Sequence, residues 1–236
     1  MRVVSIVIPA FNEEAFIGEL LTKIKDVPTE KIGFRKEVIV VDDGSCDRTA
    51  EIARSFIDVT CISQQNQGKG RAVQNGIALA RGEFVLVQDA DLEYEPNDYL
   101  LLLHAADNQA TAVYGSRVLG QIEQGHWHGK HPLQRVGPWV AGLLLSVWTF
   151  LLYGRWITDT LTAYKLYSKE FLKKAQARTH GFETDHELTA KLIRGGYRIC
   201  EVPIQYQPRT VEQGKKIRAR DGLTAVWTLL KFRFVI

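Results

Sequence analysis

Methionine is confined to Met1 in a chain of 236 residues, cysteine occurs three times and proline seven times. Cys46, Cys61 and Cys200 are odd in number and far apart, with neither a C-x-x-C spacing nor a histidine pair beside them, which excludes a disulfide scaffold and a structural zinc site. No low-complexity tract or block of like charge is present, so collagen-like, coiled-coil and disordered readings fall away. A chain of this length buries a core without covalent staples. A basic segment followed by an apolar stretch and a small-residue cleavage site is also missing, because a strand-like run already starts at Val3. The expectation is a reducing, cytoplasmic setting. Two nucleotide signatures are absent as well. A phosphate loop needs G-x-x-x-x-G-K-[ST], but Lys69 is followed by Gly70 and Ser63 stands five positions before Gly68. Where G-x-G-x-x-G would follow the first strand the sequence reads Pro9-Ala-Phe-Asn-Glu-Glu. Kinase and dehydrogenase readings are excluded.

A net charge of +3 conceals an asymmetry: residues 1–120 carry 12 Lys/Arg against 18 Asp/Glu, and residues 121–236 carry 18 against 9. The first half suits cations and the second suits anions. An acidic metabolite or an anionic membrane face fits the basic half, whereas nucleic acid is opposed by the acidic half and by the lack of any matching motif.

Hydrophobic periodicity gives the organisation. Val3–Pro9 is a continuous apolar run, and Phe16, Ile17, Leu20, Leu21 and Ile24 follow at helical spacing over Glu13–Lys25. Glu37–Val41 is a second buried strand, ended by the turn formers Asp42-Asp43-Gly44-Ser45 and followed by a helix over Arg48–Phe56. Strands are predicted at Val59–Ser63, Phe84–Gln88 and Ala112–Ser116, with helices over Arg71–Ala80 and from Pro96 to about Ala106. Residues 121–135, with His126, His128 and His131, read as a loop. Val136–Ile157 is almost wholly apolar, rich in tryptophan and broken by glycine. It only just reaches the length of a spanning helix, and its aromatics fit an interfacial position or packing beneath the domain. A strand near Ala163–Tyr167, helices near Lys169–Ala177 and Glu183–Arg194, and a strand near Tyr197–Tyr206 complete the reading. Repeated βα units imply an α/β fold with a mostly parallel, helix-covered sheet. No linker or internal repeat divides residues 1–236, so one domain is expected, its first half (1–120) for one ligand and its second (121–236) for another.

In such sheets ligands bind beyond the carboxyl ends of the strands. Asn12 and Glu13, Asp42 and Asp43, and Asp89 and Asp91 all follow strands and therefore share one rim. Carboxylates so crowded repel unless something positive enters, and a hard divalent cation carrying a diphosphate is the natural guest. The alternative for Asp42-Asp43-Gly-Ser taken alone is a turn and helix cap.

These residues carry a resemblance. Val7-Ile-Pro-Ala-Phe-Asn-Glu-Glu14, Val38–Val41 with Asp42-Asp43-Gly44-Ser45-x-Asp47-x-Thr49, Asn66-x-Gly68-Lys69-Gly70, and Gln88-Asp-Ala-Asp-Leu-Glu93 resemble, in order and spacing, the signatures of glycosyltransferase family 2. Gly115-Ser-Arg117, Thr158-Asp159-x5-Lys165 and Glu201-Val-Pro-Ile204 resemble its polyprenyl-phosphate (dolichyl-phosphate) sugar transferase branch. The resemblance implies a GT-A fold and an inverting transfer of one sugar from a nucleoside-diphosphate sugar to a polyprenyl phosphate. It implies that Pro9, Ala10, Phe11, Glu13 and Asp43 contact the nucleoside, with Lys69, Asp89 and Ala90 completing the donor site. Asp89 and Asp91 match the acids that hold Mg2+ or Mn2+, and Glu93 stands where that branch often has a glutamine and joins them. Arg117, Arg135, Arg209 and Lys215 stand where the branch binds phosphates, although its arginine then Gly-x-Ser-Lys pattern reads here as Arg209 followed by Gly214-Lys215-Lys216-Ile217. The Q-x-x-R-W signature of processive synthases is absent.

A lipid phosphate is already an anion at pH 7 and needs no general base. A hydroxyl acceptor on a glycan, glycolipid or small molecule would need one, and Asp159 and Asp185 are then the candidates, although Asp185 also fits as a charge complementing a helix N-terminus. A nucleotide-sugar-binding module without turnover is the non-enzymatic alternative, against which Asp43, Asp89 and Asp91 argue. Val136–Ile157 and Thr224–Ile236 combine aromatic and basic residues as interfacial segments do, which predicts a peripheral position at the inner face of an anionic membrane. The alternative is that both stripes are core.

Overall fold

The computed structural model describes residues 1–107, 110–209 and 219–235. Seven strands form one sheet: β1 (Arg2–Ala10), β2 (Phe34–Asp42), β3 (Val59–Ser63), β4 (Phe84–Val87), β5 (Ala112–Ser116), β6 (Lys165–Ser168) and β7 (Ile199–Pro203), in the order β3-β2-β1-β4-β6-β5-β7. All are parallel except β6, which runs antiparallel to both β4 and β5. The apolar run of β1 is explained by burial on both faces. Ile6 and Ile8 pack with Ile17, Leu20, Leu21 and Ile24 of α1 (Ile17–Asp26), while Val7 between them packs on the opposite side with Ala72 and Val73 of α3 (Lys69–Leu79). β-Branched residues on a pleated strand supply both layers at once.

The remaining helices are α2 (Thr49–Arg54), α4 (Tyr99–Asp107), α5 (Arg117–Glu123), α6 (Val136–Tyr153), α7 (Lys169–Ala175), α8 (Thr184–Arg194) and α9 (Ala219–Phe234). Three differences from the sequence reading have local causes. Helix α1 starts at Ile17 rather than Glu13, because Asn12 takes a left-handed φ of 52° and the intervening residues turn, Ile17 N–H donating to Glu13 O. Helix α5 occupies part of the stretch expected as loop; Ser116 caps it by accepting from Leu119 N–H, but seven residues with an internal glycine show no usable periodicity. The reversed direction of β6 leaves no mark in its composition.

Helices α6 and α9 pack against each other through Leu145, Ala225 and Leu229. Trp148 Nε1 donates to Val226 O (3.2 Å) and Tyr153 Oη to Leu229 O (2.6 Å). Helix α9 also packs on α8, where Phe232 is buried and its carbonyl accepts from Arg194 Nη1, but the rest of the pair is open: Leu144 is 62% exposed, Leu151 69%, Leu223 74% and Trp227 63%. Neither helix is core over most of its surface.

Candidate active site

Two loops at the carboxyl edge of the sheet are stapled by the side chains of the D-D-G-S-x-D-x-T motif. Asn12 N–H donates to Ser45 Oγ (2.9 Å), Glu13 N–H to Thr49 Oγ1 (2.8 Å) and Glu14 N–H to Asp47 Oδ2 (3.1 Å), and Asn12 Oδ1 accepts from Cys46 N–H (2.8 Å). Burial works against ionising Asp47, but donors from Thr49 and Glu14 outweigh it and hold its carboxyl below the usual range. Asp43 holds a third loop, accepting from Gln64 Nε2 (2.7 Å), Gln67 N–H (2.8 Å) and Gly68 N–H (2.9 Å). In that loop Gly68 adopts φ +94°, and a Cβ on Gly70 would overlap Thr184 Oγ1 and the His180–Gly181 backbone. The Asp42-Asp43 turn is thus a structural hub as well as part of the rim. Pro9 and Ala10 end β1, Ala10 O accepting from Asp43 N–H, and Phe11 leads into the turn.

Beyond β4, Asp89, buried Ala90 and Asp91 lie on a tight connection in which Leu92 takes a left-handed φ of 58°. Each acid has a cation against it. Lys69 Nζ is 2.6 Å from Asp89 Oδ1, and although burial opposes its charge, Asp89 and Asp185 outweigh burial and raise its pKa. Arg209 Nη2 donates to Asp91 Oδ2 (2.8 Å) and Nη1 to Glu13 Oε2 (3.2 Å), while Arg209 N–H donates to Glu93 Oε1 (2.8 Å). The other oxygen of Glu93 accepts from Tyr206 Oη (2.8 Å). Burial first, then the charges of Asp89 and Glu93, push Asp91 up to about 7 despite Arg209. The positive groups that the acidic rim calls for are therefore supplied, in this state, by the chain's own Lys69 and Arg209. Among the described residues no three His, Cys, Asp or Glu side chains converge into a ready-made metal cage.

Across Tyr206 lies a second arginine. Arg117, the first residue of α5, forks onto Asp159, with Nε to Oδ2 at 2.7 Å and Nη2 to Oδ1 at 2.8 Å, and its N–H reaches Oδ2 at 3.1 Å. Its guanidinium stands 4.9 Å from the Tyr206 ring. Burial raises Asp159, but the charge and hydrogen bonds of Arg117 outweigh it and leave the carboxyl below its ordinary value. Asp185 is half-buried in the first turn of α8, near Lys69 and fully buried Lys165. Next to it, burial and then Lys165 hold His186 down at about 3. The structure brings together Glu13, Asp91, Glu93 and Arg209, pairs Lys69 with Asp89 and pairs Arg117 with Asp159. Arg135 is exposed at the head of α6, and Lys215 lies outside the described residues. Sequence reasoning missed Tyr206, which touches Glu93 and faces Arg117. The period-two alternation of Val202, Ile204 and Tyr206 was the signal available.

A mixed sheet carrying an acidic D-x-D turn beside a nucleotide-type rim is the GT-A class of glycosyltransferase. Glucosyl-3-phosphoglycerate synthase of Mycobacterium tuberculosis, solved with Mn2+, UDP and phosphoglyceric acid, shares this fold at a TM-score of 0.73 and 22% identity, over 100% of this chain and 80% of that one. The chain belongs to glycosyl transferase family 2, whose profile matches residues 5–182. It is 35% identical over 221 residues to an undecaprenyl-phosphate 4-deoxy-4-formamido-L-arabinose transferase of Edwardsiella ictaluri (91% of this chain) and 30% identical over 219 residues to a dolichol-phosphate mannosyltransferase of Pyrococcus furiosus (90% of this chain). The chain spans 63% and 58% of the lengths of these two relatives.

Proposed function

We propose that this glycosyltransferase moves one sugar, with inversion, from a nucleoside-diphosphate sugar to a polyprenyl phosphate at an anionic membrane surface, using Mg2+ or Mn2+. The observation that carries the reading is a pair of guanidinium groups joined through Tyr206 and Glu93: Arg117 stands over the Tyr206 ring, Tyr206 donates to Glu93, and Arg209 binds both Glu93 and the D-x-D carboxylate Asp91. The donor set fits a hard divalent cation: Asp89 and Asp91 offer oxygen ligands, and a site short of a full protein cage suits an ion that is completed by diphosphate oxygens. Asp89 and Asp91 would hold it, and when bound it neutralises the charge that grows on the leaving diphosphate. Lys69 and Arg209 now balance those acids and provide positive charge for the same phosphates. Arg117, held on Asp159, receives the acceptor phosphate, which attacks as the anion it already is. Asp159 is spent on Arg117. Were the acceptor a hydroxyl, Asp185 would be the base, since its carboxylate makes no hydrogen bond to the described residues.

The relatives named for undecaprenyl and dolichol phosphate support the acceptor class, and the metal and UDP in the structural neighbour support the donor class. The open apolar surface of α6 and α9, with Lys231 and Arg233 on the latter, supports a membrane-surface position. The experiment is a panel of nucleotide sugars with Mn2+, with and without a polyprenyl phosphate, scored by release of nucleoside diphosphate. Release that depends on the lipid phosphate is expected. Transfer only to water-soluble hydroxyls overturns the acceptor assignment, and nucleotide binding without turnover on any acceptor overturns the enzymatic one.

A further inference from the structure

Glu201 is a half-buried acid on β7 whose carboxylate gathers three donors of the Thr158-Asp159 turn. Thr158 N–H lies 2.9 and 3.0 Å from its two oxygens, Thr158 Oγ1 is 2.6 Å from Oε1, and Asp159 N–H is 3.2 Å from Oε1. Thr158 Oγ1 is also 2.7 Å from Ser116 Oγ, which accepts from Leu119 N–H at the head of α5. Because Thr158 gives its proton to a carboxylate that can only accept, Ser116 must donate to Thr158. The direction of the chain is thereby fixed from Leu119 through Ser116 and Thr158 to Glu201. The turn so held carries Asp159, whose two oxygens take three donors from Arg117. This fork uses Nε and Nη2 and leaves Nη1 without a partner among the described residues.

We propose that Glu201 is the positioning residue for Arg117: by fixing the Thr158-Asp159 turn it aims the remaining guanidinium edge at the acceptor phosphate and sets acceptor affinity. The inference rests on the reading of Arg117 as the acceptor-phosphate contact. Asp159 sits on the irregular connection between α6 and β6, where its own backbone lacks a sheet ladder. Without Glu201 the Asp159–Arg117 pair would be ordered only when ligand binds, at a cost in affinity. A methionine at 201 keeps the length but leaves the Thr158 and Asp159 N–H groups without an acceptor, whereas a glutamine can keep its one carbonyl oxygen on the three donors that meet Oε1. Nothing in this chain of contacts touches the nucleotide side.

The test is Glu201→Met, measured with the donor identified in the panel assay and a short-chain polyprenyl phosphate in micelles. The KM for polyprenyl phosphate is expected to rise roughly tenfold, with kcat and nucleotide affinity unchanged. In an Arg117→Lys background the same substitution should add nothing further. The Arg117 Nε–H resonance, protected by Asp159, should weaken in Glu201→Met and vanish in Asp159→Asn. Should Glu201→Met fail to fold, Thr158→Val removes the hydroxyl link alone and is expected to act in the same direction. An unchanged acceptor KM with an unchanged resonance overturns the proposal, as does an effect fully additive with Arg117→Lys. If the wild type uses no polyprenyl phosphate, the acceptor reading fails, and an intact Arg117 resonance in Glu201→Met then rejects the positioning role separately.

Discussion

Helices α1 and α6 are built on opposite plans. In α1 every apolar residue of the stripe faces in: Ile17, Leu20, Leu21 and Ile24 are buried and the charged residues face water. In α6 the side chains tucked against the protein are Leu145 with two hydroxyls, Ser146 and Thr149, which donate to the Gly142 and Leu145 carbonyls, while Leu144, Val147, Phe150 and Leu151 face out. A helix with hydroxyls inside and leucines outside is inverted relative to a water-facing one. Hydroxyls that bond their own backbone tolerate a low dielectric on either side. Helix α1 is organised by water, whereas the α6–α9 pair leaves a contiguous apolar face of the kind that marks an interaction surface.

The comparison can be broken most forcefully at the rim. Asp91→Ala should lower turnover at least about a hundredfold through lost charge stabilisation, with little change in melting temperature because the residue contributes nothing to either core layer; steady-state release of nucleoside diphosphate and a thermal melt measure the two. Next, Leu20→Ala in α1 should cost about 2–5 kcal/mol in chemical denaturation, whereas Leu144→Ala should stay within about 0.5 kcal/mol; equal costs would end the contrast. Replacing Leu144 and Leu151 together by glutamine should leave stability alone yet lower the affinity for anionic vesicles, read by flotation, roughly thirtyfold or more, each lost apolar contact being worth about 1–2 kcal/mol. Undiminished flotation would assign the outward leucines to something other than a bilayer.

The smallest effect concerns pH. Asp91 in the fold titrates near 7, above its unfolded value, so between about pH 4 and neutrality the folded protein binds the extra proton and stability falls as pH rises. Asp91→Asn should remove this slope, so that its stability gains on the wild type as pH rises from 4 to 8 and the difference closes toward pH 4. Urea denaturation at the two pH values, without divalent metal, reads it out.

The order of strands and helices through β5 was legible because continuous apolar runs alternating with 3.6-residue stripes leave few α/β alternatives. The rim acids were legible because they all follow strands. The partners of those acids were not. Arg209 reaches Glu13 and Asp91 from 196 and 118 residues away, and Lys69 meets Asp89 through a loop held by Asp43. Ser45, Asp47 and Thr49, present in the sequence only as members of the family signature, hold backbone amides of the neighbouring loop. Local pattern reports which residues are available; only the tertiary return of residues 204–209 along the D-x-D turn, with Gln207 N–H on Glu93 O and Gln205 N–H on Asp98, decides whom they meet.

The position of β5 has a bearing on how the chain is made. Its neighbours in the sheet are β6 and β7, both encoded 50 or more residues downstream. While the ribosome is still delivering residues 117–164, Ala112–Ser116 has no strand to pair with, although β1 to β4 can already assemble. The sheet therefore closes late, by insertion of β6 between two strands synthesised before it, and such non-local pairing slows folding and leaves edges open in the meantime. A nascent chain arrested before Lys165 should expose the unpaired edge of β4 to chaperones, and release past Pro203 should withdraw it.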